Sequence, residues 1–150
     1  MVYFGWSYDF AAGRLCQAAP IPDFLRPVRD RAARFAGLKP EALAQVLVNR
    51  YPPGAAIGWH RDRPQFADVV GVSLGAPIAF RLRRRTPAGW DRRTVTVAPR
   101  SIYALAGPAR TEWEHGTPPA PALRHSITFR SLAEAAKAGA PAFAPPRSGD

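Results

Sequence analysis

Cysteine and long apolar segments are scarce in this chain. Cys16 is the single cysteine among 150 residues, so no disulfide can form within the chain and nothing indicates an oxidising compartment. No apolar run approaches the roughly 20 residues that cross a bilayer. The first residues also lack the basic and apolar regions of a signal peptide. We therefore expect a cytoplasmic protein without a membrane anchor.

Acidic residues are also few in this chain. The chain has 11 Asp and Glu residues against 21 Lys and Arg residues, which gives a net charge of +10. All of the basic residues except Lys39 and Lys137 are arginine. This excess favours a polyanionic partner, because a guanidinium is always charged and neutralising phosphates releases counterions. A general compositional bias toward arginine is the alternative explanation.

Hydrophobic periodicity predicts many short strands and one helix. The helix is expected over 24–37, with Asp23 as its N-cap and Gly37 at its end, and residues 11–22 are expected to form a loop. Aromatic residues predict a strand at 1–10, and β-branched residues predict one at 43–51, although a helical start at Pro40-Glu41 is the alternative there. Residues 55–62 are expected to be extended, and strands are expected at 68–74 and 76–83. Alternation of apolar and polar residues predicts strands at 94–97, 100–106 and 123–131.

These elements indicate a mainly β protein with a flanking helix (α+β), arranged as a sandwich or jelly roll. The apolar fraction of 47% is enough for the core of one domain at this length. We assign residues 1–131 to that domain. Residues 132–150 are rich in Ala and Pro, and we expect them to form a largely disordered tail with at most a helical turn at its start.

Histidine is rare as well, which makes its positions informative. His60 stands two residues before Asp62, so both side chains point to the same side of an extended segment. His115 could supply a third ligand at the end of a strand, since Gly116 and two prolines follow closely. Two histidines and one carboxylate are the ligand set of a mononuclear non-haem iron(II) site. For the first pair alone, a histidine bonded to a nearby carboxylate is the simpler alternative.

The predicted strand at 123–131 has two contrasting faces. One face carries Arg124, Ser126, Thr128 and Arg130, and the other carries Leu123, His125, Ile127 and Phe129. The polar face either points into water or lines a cavity that binds an anion. The two arginine Cα atoms are about 20 Å apart at 3.3 Å per residue. They must therefore lean inward to hold one small dicarboxylate, or serve different ends of a site.

A resemblance to a known family follows from these motifs taken in order. They are Asn49-Arg50-Tyr51-Pro52-Pro53-Gly54, His60-Arg61-Asp62, Ser73-Leu74-Gly75, His115-Gly116, and Arg124 followed six residues later by Arg130. Over roughly residues 44–132 the chain resembles the AlkB family of Fe(II)/2-oxoglutarate-dependent dioxygenases. The paired His and Asp are unspecific by themselves, but the whole order of motifs is highly specific.

The resemblance implies a double-stranded β-helix core and an oxidoreductase that uses Fe(II), 2-oxoglutarate and O2. It implies iron ligation by His60, Asp62 and His115. It also implies 2-oxoglutarate binding by five residues, which are Arg124, Arg130, Asn49, Tyr51 and Ser126. The implied reaction is oxidative demethylation of alkylated bases in DNA or RNA, as in alkylation repair. We expect a monomer with no obligate protein partner.

Three departures from the family pattern leave the substrate open. Ser126 stands where well-known members have Asn, Pro64 stands where they have an Asp that helps to read the damaged base, and the segment 4–8 would be only the end of a nucleotide-recognition lid. The residues expected to bind the substrate are Trp6, Tyr8, Trp59 and Arg61. A protein substrate or a modified RNA base is an alternative for the same chemistry.

A basic module without catalytic activity is an alternative of a different class. Aromatic side chains interleaved with arginine suit the binding of single-stranded nucleic acid. The arginines around the predicted hairpin could follow a phosphate backbone, although a solvated charged face is the simpler explanation; they are Arg81, Arg83, Arg84, Arg85, Arg92 and Arg93. This alternative leaves the order of the His, Asp and Arg motifs unexplained.

Overall fold

The structure is a computed structural model that describes residues 1–138. Most of the predicted tail, at 139–150, therefore lies outside the described residues. The strands are β1 (Val2–Phe4), β2 (Trp6–Asp9), β3 (Arg14–Gln17), β4 (Leu43–Tyr51), β5 (Ile57–His60), β6 (Phe66–Gly75), β7 (Ile78–Thr86), β8 (Gly89–Val97), β9 (Ser101–Leu105), β10 (Glu114–Thr117) and β11 (Arg124–Leu132). The helices are α1 (Arg26–Ala36), α2 (Pro108–Thr111) and α3 (Glu134–Ala138). Within this part of the chain, no helix has the length and apolarity needed to cross a membrane.

Two antiparallel sheets form the body of the protein. The larger has the strand order β1-β4-β11-β6-β9, and the smaller has the order β5-β10-β7-β8. Apart from the β7–β8 hairpin, neighbouring strands in these sheets are distant in sequence, which is the topology of a double-stranded β-helix. The prediction of a mainly β fold with a jelly-roll core is confirmed. A separate hairpin, β2-β3, stands beside the two sheets.

Alternating side chains give the larger sheet two different faces. On the outer face Val46, Val70 and Phe129 are fully buried under α1, which contributes Ala32 and Ala33. On the inner face apolar residues near the β6–β9 edge pack against the smaller sheet; this second cluster contains Val69, Leu105, Ile78, Phe80 and Val97. The polar residues of β11 point to the same inner side and are largely buried. The cavity between the sheets is therefore polar on one wall.

The helix begins differently from the prediction and ends as predicted. A short 3-10 turn at Asp23–Leu25 precedes α1, so Asp23 is not its N-cap and instead pairs with Arg26 at 3.0 Å. Pro27 lies in the first turn, where its missing N–H costs no helical hydrogen bond. Gly37 has a φ of 69°, the left-handed conformation that ends the helix.

The N-terminal region contains more structure than expected. The segment predicted as a loop at 11–22 includes β3, which pairs with β2 from Trp6 opposite Gln17 to Asp9 opposite Arg14. The predicted strand at 1–10 is divided at Gly5, where φ is 75° and a Cβ would overlap the carbonyl of Ala44. The division frees β2 from the larger sheet and lets it form the hairpin.

Candidate active site

Three side chains that are distant in sequence meet between the sheets. His60 ends β5, and its Cα partner on the adjacent strand is His115. Asp62 follows β5 by two residues and turns its carboxylate toward both imidazoles. One ligand atom from each of the three lies within 4.8 Å of the others, so together they could hold a metal ion. The expectation that these residues converge is confirmed, although His115 lies within β10 and not at a strand end.

Neighbouring groups orient the candidate ligands. The Nδ1 of His60 lies 2.9 Å from the carbonyl of Gly58, which fits an Nδ1–H donor and leaves the Nε2 lone pair free for a metal. The Nε2 atoms of His60 and His115 lie 3.5 and 3.6 Å from the Oδ1 of Asp62. The ring of Phe80 stacks on His115 with centroids 5.4 Å apart. The donor set and its support therefore suit a divalent metal.

The electrostatics keep two of the three candidate ligands, Asp62 and His115, in the forms that bind metal. Burial raises the pKa of a carboxyl, but the hydrogen bond from His60 and the charge of Arg130 outweigh it and hold the pKa of Asp62 well below its usual range. Burial, helped by the charge of His60, lowers the pKa of His115 to about 4. At neutral pH the site therefore offers a carboxylate and a neutral imidazole, as metal ligation requires.

Arg110 in α2 holds the loop that carries Asp62. Its guanidinium donates to four backbone carbonyls, and the distances are 3.1 Å to Asp62, 2.7 Å to Arg63, 2.5 Å to Phe66 and 3.1 Å to Ala67. A planar fork with five N–H groups is suited to such a convergent set of acceptors. The loop between β5 and β6 is thereby fixed from one side. No sequence motif indicated this role of Arg110, because the residue stands in an Ala- and Pro-rich segment before β10.

An inner cavity of about 420 Å³ lies behind the three ligands. Its wall includes Asn49, Tyr51, Arg124, Ser126, Thr128 and Arg130. The polar face of β11 thus lines a cavity, and the alternative of a face turned to water is excluded. Small-molecule sites have volumes of this order, with a few convergent polar groups.

The two arginines of β11 occupy different ends of this cavity. Arg130 donates from Nε to the Oδ2 of Asp62 at 2.6 Å and from Nη1 to Gln45 at 2.8 Å. Arg124 is only 3% exposed, and its Nε donates to the hydroxyl of Ser73 at 3.1 Å. Among residues 1–138 no carboxylate pairs with Arg124. A buried charge without a partner is costly, so the structure offers Arg124 as a binding group for an anion.

A chain of hydroxyl and amide groups lies beside Arg124. The Nδ2 of Asn49 donates to the Tyr51 hydroxyl at 3.0 Å, and that hydroxyl lies 3.3 Å from the Oγ of Ser126. The Arg124 guanidinium stacks on the Tyr51 ring at 5.1 Å. All four side chains were named from the sequence, and they form one polar wall. Their arrangement fits the terminal carboxylate of a small dicarboxylic acid.

Tyr103 closes the cavity from β9 and was not anticipated. Burial raises its pKa to about 12, so the phenol stays neutral at physiological pH. Its ring lies against Gly71 on β6, where a Cβ would overlap the ring atoms. The contact between Tyr103 and Gly71 could not be predicted from the sequence, because it depends on the register between β6 and β9. Ser73 and Gln45 were likewise not identified as site residues.

A second, outer cavity of about 1050 Å³ opens on the other side of the ligands. The two cavities share Leu47, His60, Asp62 and Arg130. The hairpin β2-β3 supplies Tyr8 and the neighbouring Phe10, and the guanidinium of Arg63 lies over both rings at 4.2 and 4.5 Å. Arg61 also lines this cavity and donates to the carbonyl of Thr111 at 2.8 Å. The candidate metal site therefore lies at the boundary between a smaller and a larger cavity.

The four residues expected to bind the substrate separate into two groups. Tyr8 and Arg61 line the outer cavity. Trp6 and Trp59 line neither cavity. Trp6 pairs with Gln17 in the hairpin, and the ring of Trp59 lies under Arg83 on the outside of the smaller sheet. Alternation along β5 explains the position of Trp59, because consecutive residues of a strand point to opposite faces and the neighbouring His60 points inward.

A double-stranded β-helix with two histidines and a carboxylate at the boundary of two cavities defines a class of mononuclear iron oxygenases. The model of the 2OG-Fe(II) oxygenase superfamily matches residues 7–130. The chain therefore belongs to this superfamily, whose members use Fe(II), 2-oxoglutarate and O2, and it is an AlkB-like member.

Relatives support the AlkB-like assignment. The alpha-ketoglutarate-dependent dioxygenase AlkB of Salmonella typhimurium is 33% identical over 117 residues, covering 69% of this chain and 50% of that protein. The uncharacterized protein L905 of Acanthamoeba polyphaga mimivirus is 31% identical over 101 residues, covering 59% of this chain and 48% of that protein. The chain thus spans about half the length of these relatives. The structure of OsALKBH1 shares the fold, with a TM-score of 0.67 and 19% identity over 86% of this chain and 76% of that chain.

Proposed function

We propose that the protein is an Fe(II)- and 2-oxoglutarate-dependent dioxygenase that removes alkyl groups from nucleic-acid bases by oxidation. One observation carries this proposal: His60, Asp62 and His115 lie where the inner and outer cavities meet. A cosubstrate and a substrate could therefore approach the same metal ion from two sides. The proposal places this activity in residues 1–131.

The inner cavity is assigned to 2-oxoglutarate. Arg124 has the fork geometry that binds a carboxylate, and the hydroxyls of Tyr51 and Ser126 lie beside it. Asn49 orients the Tyr51 hydroxyl by donating to it. Arg130 lies at the opposite end, where it neutralises the carboxylate of Asp62. Its role toward the cosubstrate is therefore different from that of Arg124.

Iron(II) held by His60, Asp62 and His115, together with 2-oxoglutarate and O2, supplies an oxidation that hydroxylates a C–H bond and releases succinate and CO2. An N-methyl group hydroxylated in this way leaves as formaldehyde. The protein contributes orientation and the exclusion of water. Phe80 and Tyr103 shield the inner cavity, and Arg130 and Arg110 hold Asp62 in place.

The outer cavity is assigned to the alkylated base. A base must leave its stack to reach the site, which costs a few kcal/mol in a duplex and less in a single strand. Tyr8 and Phe10 offer aromatic faces at the opening, and Arg61 and Arg63 supply positive charge. The net charge of +10 favours a polyanionic substrate. The relatives named as AlkB and as an alkylated DNA repair protein support the same substrate class.

A protein or a modified RNA base is a second candidate substrate. Pro64 follows Asp62 in the outer cavity at the place where an acidic base-reading residue was expected from the resemblance. Proline has no side-chain hydrogen-bonding group and no backbone N–H. Pro64 therefore offers no side chain that could recognise a base, and the cavity could accept a different methylated group.

Turnover with a panel of substrates tests the proposal. The iron-loaded protein is supplied with 2-oxoglutarate and with a single-stranded oligonucleotide containing N1-methyladenine, a methylated RNA oligonucleotide or a methylated peptide. Succinate and formaldehyde are measured. We expect both products from the wild type with an oligonucleotide and neither product from Asp62→Asn. The control Asp30→Asn changes an exposed residue of α1 and should match the wild type. Products with the RNA oligonucleotide alone or with the peptide alone favour the second candidate, and no products with any substrate refute both.

A further inference from the structure

The outside of the smaller sheet carries a row of arginine and tryptophan side chains that neither cavity uses. Register places Arg81 opposite Thr94, Arg83 opposite Arg92, and Arg85 opposite Trp90. Directly opposite residues point to the same side of a sheet, and Trp59 joins them because its ring lies 4.5 Å from the Arg83 guanidinium. We call this surface the arginine–tryptophan face, and its members are Trp59, Arg81, Arg83, Arg85, Trp90 and Arg92.

The other arginines of the hairpin belong to the opposite side. Arg84 is bound by Glu112 at 3.0 Å and by Asp91 at 3.5 Å, and Arg93 is bound by Asp91 at 2.7 Å. Each of these arginines therefore has a carboxylate partner. On the arginine–tryptophan face the described residues supply a single carboxylate, Glu114, which pairs with Arg83 at 2.7 Å. Alternation along the strands thus concentrates unneutralised charge on one surface.

The tryptophans stack on two of the four arginines of this face, Arg83 and Arg85. The Arg83 guanidinium lies between the rings of Trp59 and Trp90 at 4.5 and 4.3 Å, and Arg85 lies over Trp90 at 4.8 Å. Stacking occupies the flat face of a guanidinium and leaves its N–H edge for hydrogen bonds. A guanidinium that is already ordered loses less side-chain entropy when it binds an anion. Such a surface suits phosphate groups better than a row of free lysines would.

The spacing and position of the face suit an extended strand of nucleic acid. Arginines two residues apart on a strand are about 6.6 Å apart along the strand, which is of the same order as the distance between successive phosphates in an extended single strand. Trp59 is followed directly by His60, which lines both cavities. One edge of the face therefore borders the candidate metal site.

We propose that the arginine–tryptophan face binds the sugar–phosphate backbone of single-stranded nucleic acid and holds the strand beside the opening of the site. Binding by the face stands on charge and geometry alone. Delivery of a base into the outer cavity rests in addition on the proposed function. Arg81, Arg85 and Arg92 are exposed and free to contact phosphates.

Salt-dependent binding tests the face without requiring catalysis. The full chain is titrated into a labelled, unmodified single-stranded oligonucleotide at several salt concentrations, with chelator present. The double variant Arg85→Ala/Arg92→Ala should bind about tenfold more weakly, and its slope of log affinity against log salt should fall by about 1.4 for two lost contacts. The matched control is Arg31→Ala/Arg34→Ala, which removes two exposed arginines from α1 behind the larger sheet.

The control shows whether the oligonucleotide binds to the arginine–tryptophan face or is attracted by the net positive charge of the protein. An unchanged slope for the control with a reduced slope for the face variant supports the proposal. Equal effects of the two variants overturn it, because net charge alone would then explain binding. Tighter binding of a polyglutamate peptide or of anionic phospholipid vesicles than of the oligonucleotide, with the same loss in the face variant, also overturns it in favour of another occupant.

Turnover separates this inference from the proposed function. If the wild type demethylates an oligonucleotide, the face variant should raise KM for it about tenfold while kcat and the substrate-independent formation of succinate stay unchanged. An unchanged KM overturns the delivery role. If the wild type demethylates no nucleic acid, the proposed function fails, and the binding comparison still decides whether the face holds a single strand.

Discussion

His60 and His115 are Cα partners on adjacent strands, with ring centroids 4.3 Å apart, and their pKa values are shifted in opposite directions. The hydrogen bond to Asp62 raises the pKa of His60 above its ordinary value, against the effect of burial. Burial lowers the pKa of His115 to about 4. The imidazole of His60 therefore takes up a proton more readily than an ordinary histidine, and the imidazole of His115 takes one up less readily.

The pH dependence of stability should differ between the two histidines. For His115 the unfolded chain takes up a proton near pH 6.5 while the folded protein resists it until about pH 4. Its contribution is therefore complete above pH 6.5 and is lost as the pH falls toward 4. For His60 the folded pKa is the higher one, so its contribution is complete below pH 6.5 and is lost as the pH rises through the folded value.

Thermal unfolding of metal-free protein between pH 4 and pH 8 measures this difference. His115→Gln should flatten the decrease of Tm as the pH falls from 6.5 to 4, whereas His60→Gln should flatten the decrease of Tm as the pH rises above 6.5. His125→Gln on β11 controls for the substitution itself, since it lies on the other face of that strand from the site. An effect of both site variants in the same pH range would contradict the opposite shifts of the two pKa values.

Two of the candidate ligands and the polar wall could be predicted because each depends on a short-range pattern. His60 and Asp62 are two residues apart, and the polar face of β11 follows from period-two alternation of Arg124, Ser126 and Arg130. The resemblance added His115, which spacing alone could not connect to the other two. Several strands after β4 followed from alternation and from turn residues such as Gly75 and Pro87, but β3 and the division of residues 1–10 into two strands were not predicted.

The remaining features depend on register and on loops, which no local pattern specifies. Trp59 was expected near the substrate, but the end of β5 at His60 places its ring on the outside of the sheet. Arg110 was overlooked because its four acceptors are backbone carbonyls 43 to 48 residues away. The strand β3 was missed because its Arg14–Gln17 segment is short and becomes regular only by pairing with β2.

Gly71 should be intolerant of a side chain. A Cβ at this position would overlap the ring of Tyr103, which is buried and cannot move away without opening the cavity wall. We expect Gly71→Ala to lower the free energy of unfolding by about 1–3 kcal/mol, the usual effect of overpacking. Gly58→Ala is the matched control, because its Cβ would meet nothing within 4 Å, and it should change stability by less than about 0.5 kcal/mol.

Chemical denaturation of both variants provides the measurement. The reduction should reverse in part when Tyr103→Val is added to Gly71→Ala, since a smaller residue on β9 removes the overlap. A Gly71→Ala protein as stable as the wild type, with an unchanged affinity for 2-oxoglutarate, would show that the wall is more adaptable than its burial indicates.

Arg124 should contribute to cosubstrate binding and not to the stability of the free protein. It is buried without a carboxylate partner among the described residues, so Arg124→Met removes an uncompensated charge and should leave the metal-loaded, cosubstrate-free protein as stable as before, or more stable. At about 100 times Kd, 2-oxoglutarate should stabilise the wild type by about 2.7 kcal/mol. That increase should disappear in the variant.

Melting curves with and without 2-oxoglutarate check this pair of expectations. Arg124→Lys should recover little of the increase, because an ammonium cannot make the paired contacts of a planar fork. Arg50→Met removes an exposed arginine next to the polar wall in sequence and should respond to 2-oxoglutarate like the wild type. A large loss of stability in cosubstrate-free Arg124→Met would instead assign the residue a purely structural role.

Arg110 should control metal affinity although it touches no ligand atom of the site. Its guanidinium satisfies the carbonyl of Asp62 and three others in the same loop, and burial lowers its pKa from the ordinary value. Without these bonds the loop gains conformations in which the Asp62 carboxylate points away from His60 and His115. Residues that orient metal ligands typically change affinity by 10- to 100-fold when removed, and we expect a loss in this range for Arg110→Ala.

Calorimetric titration with Mn(II), in the absence of substrate, measures that loss directly. Arg110→Lys should not restore the affinity, because three donors on one nitrogen cannot span four carbonyls along the loop. Arg61→Ala is the control from the same loop; its single bond to Thr111 lies outside the Asp62–Ala67 segment, so its affinity for Mn(II) should stay near that of the wild type. A lower Tm in Arg110→Ala with unchanged Mn(II) affinity would mean that the loop is held for stability alone, and that Asp62 keeps its position through Arg130.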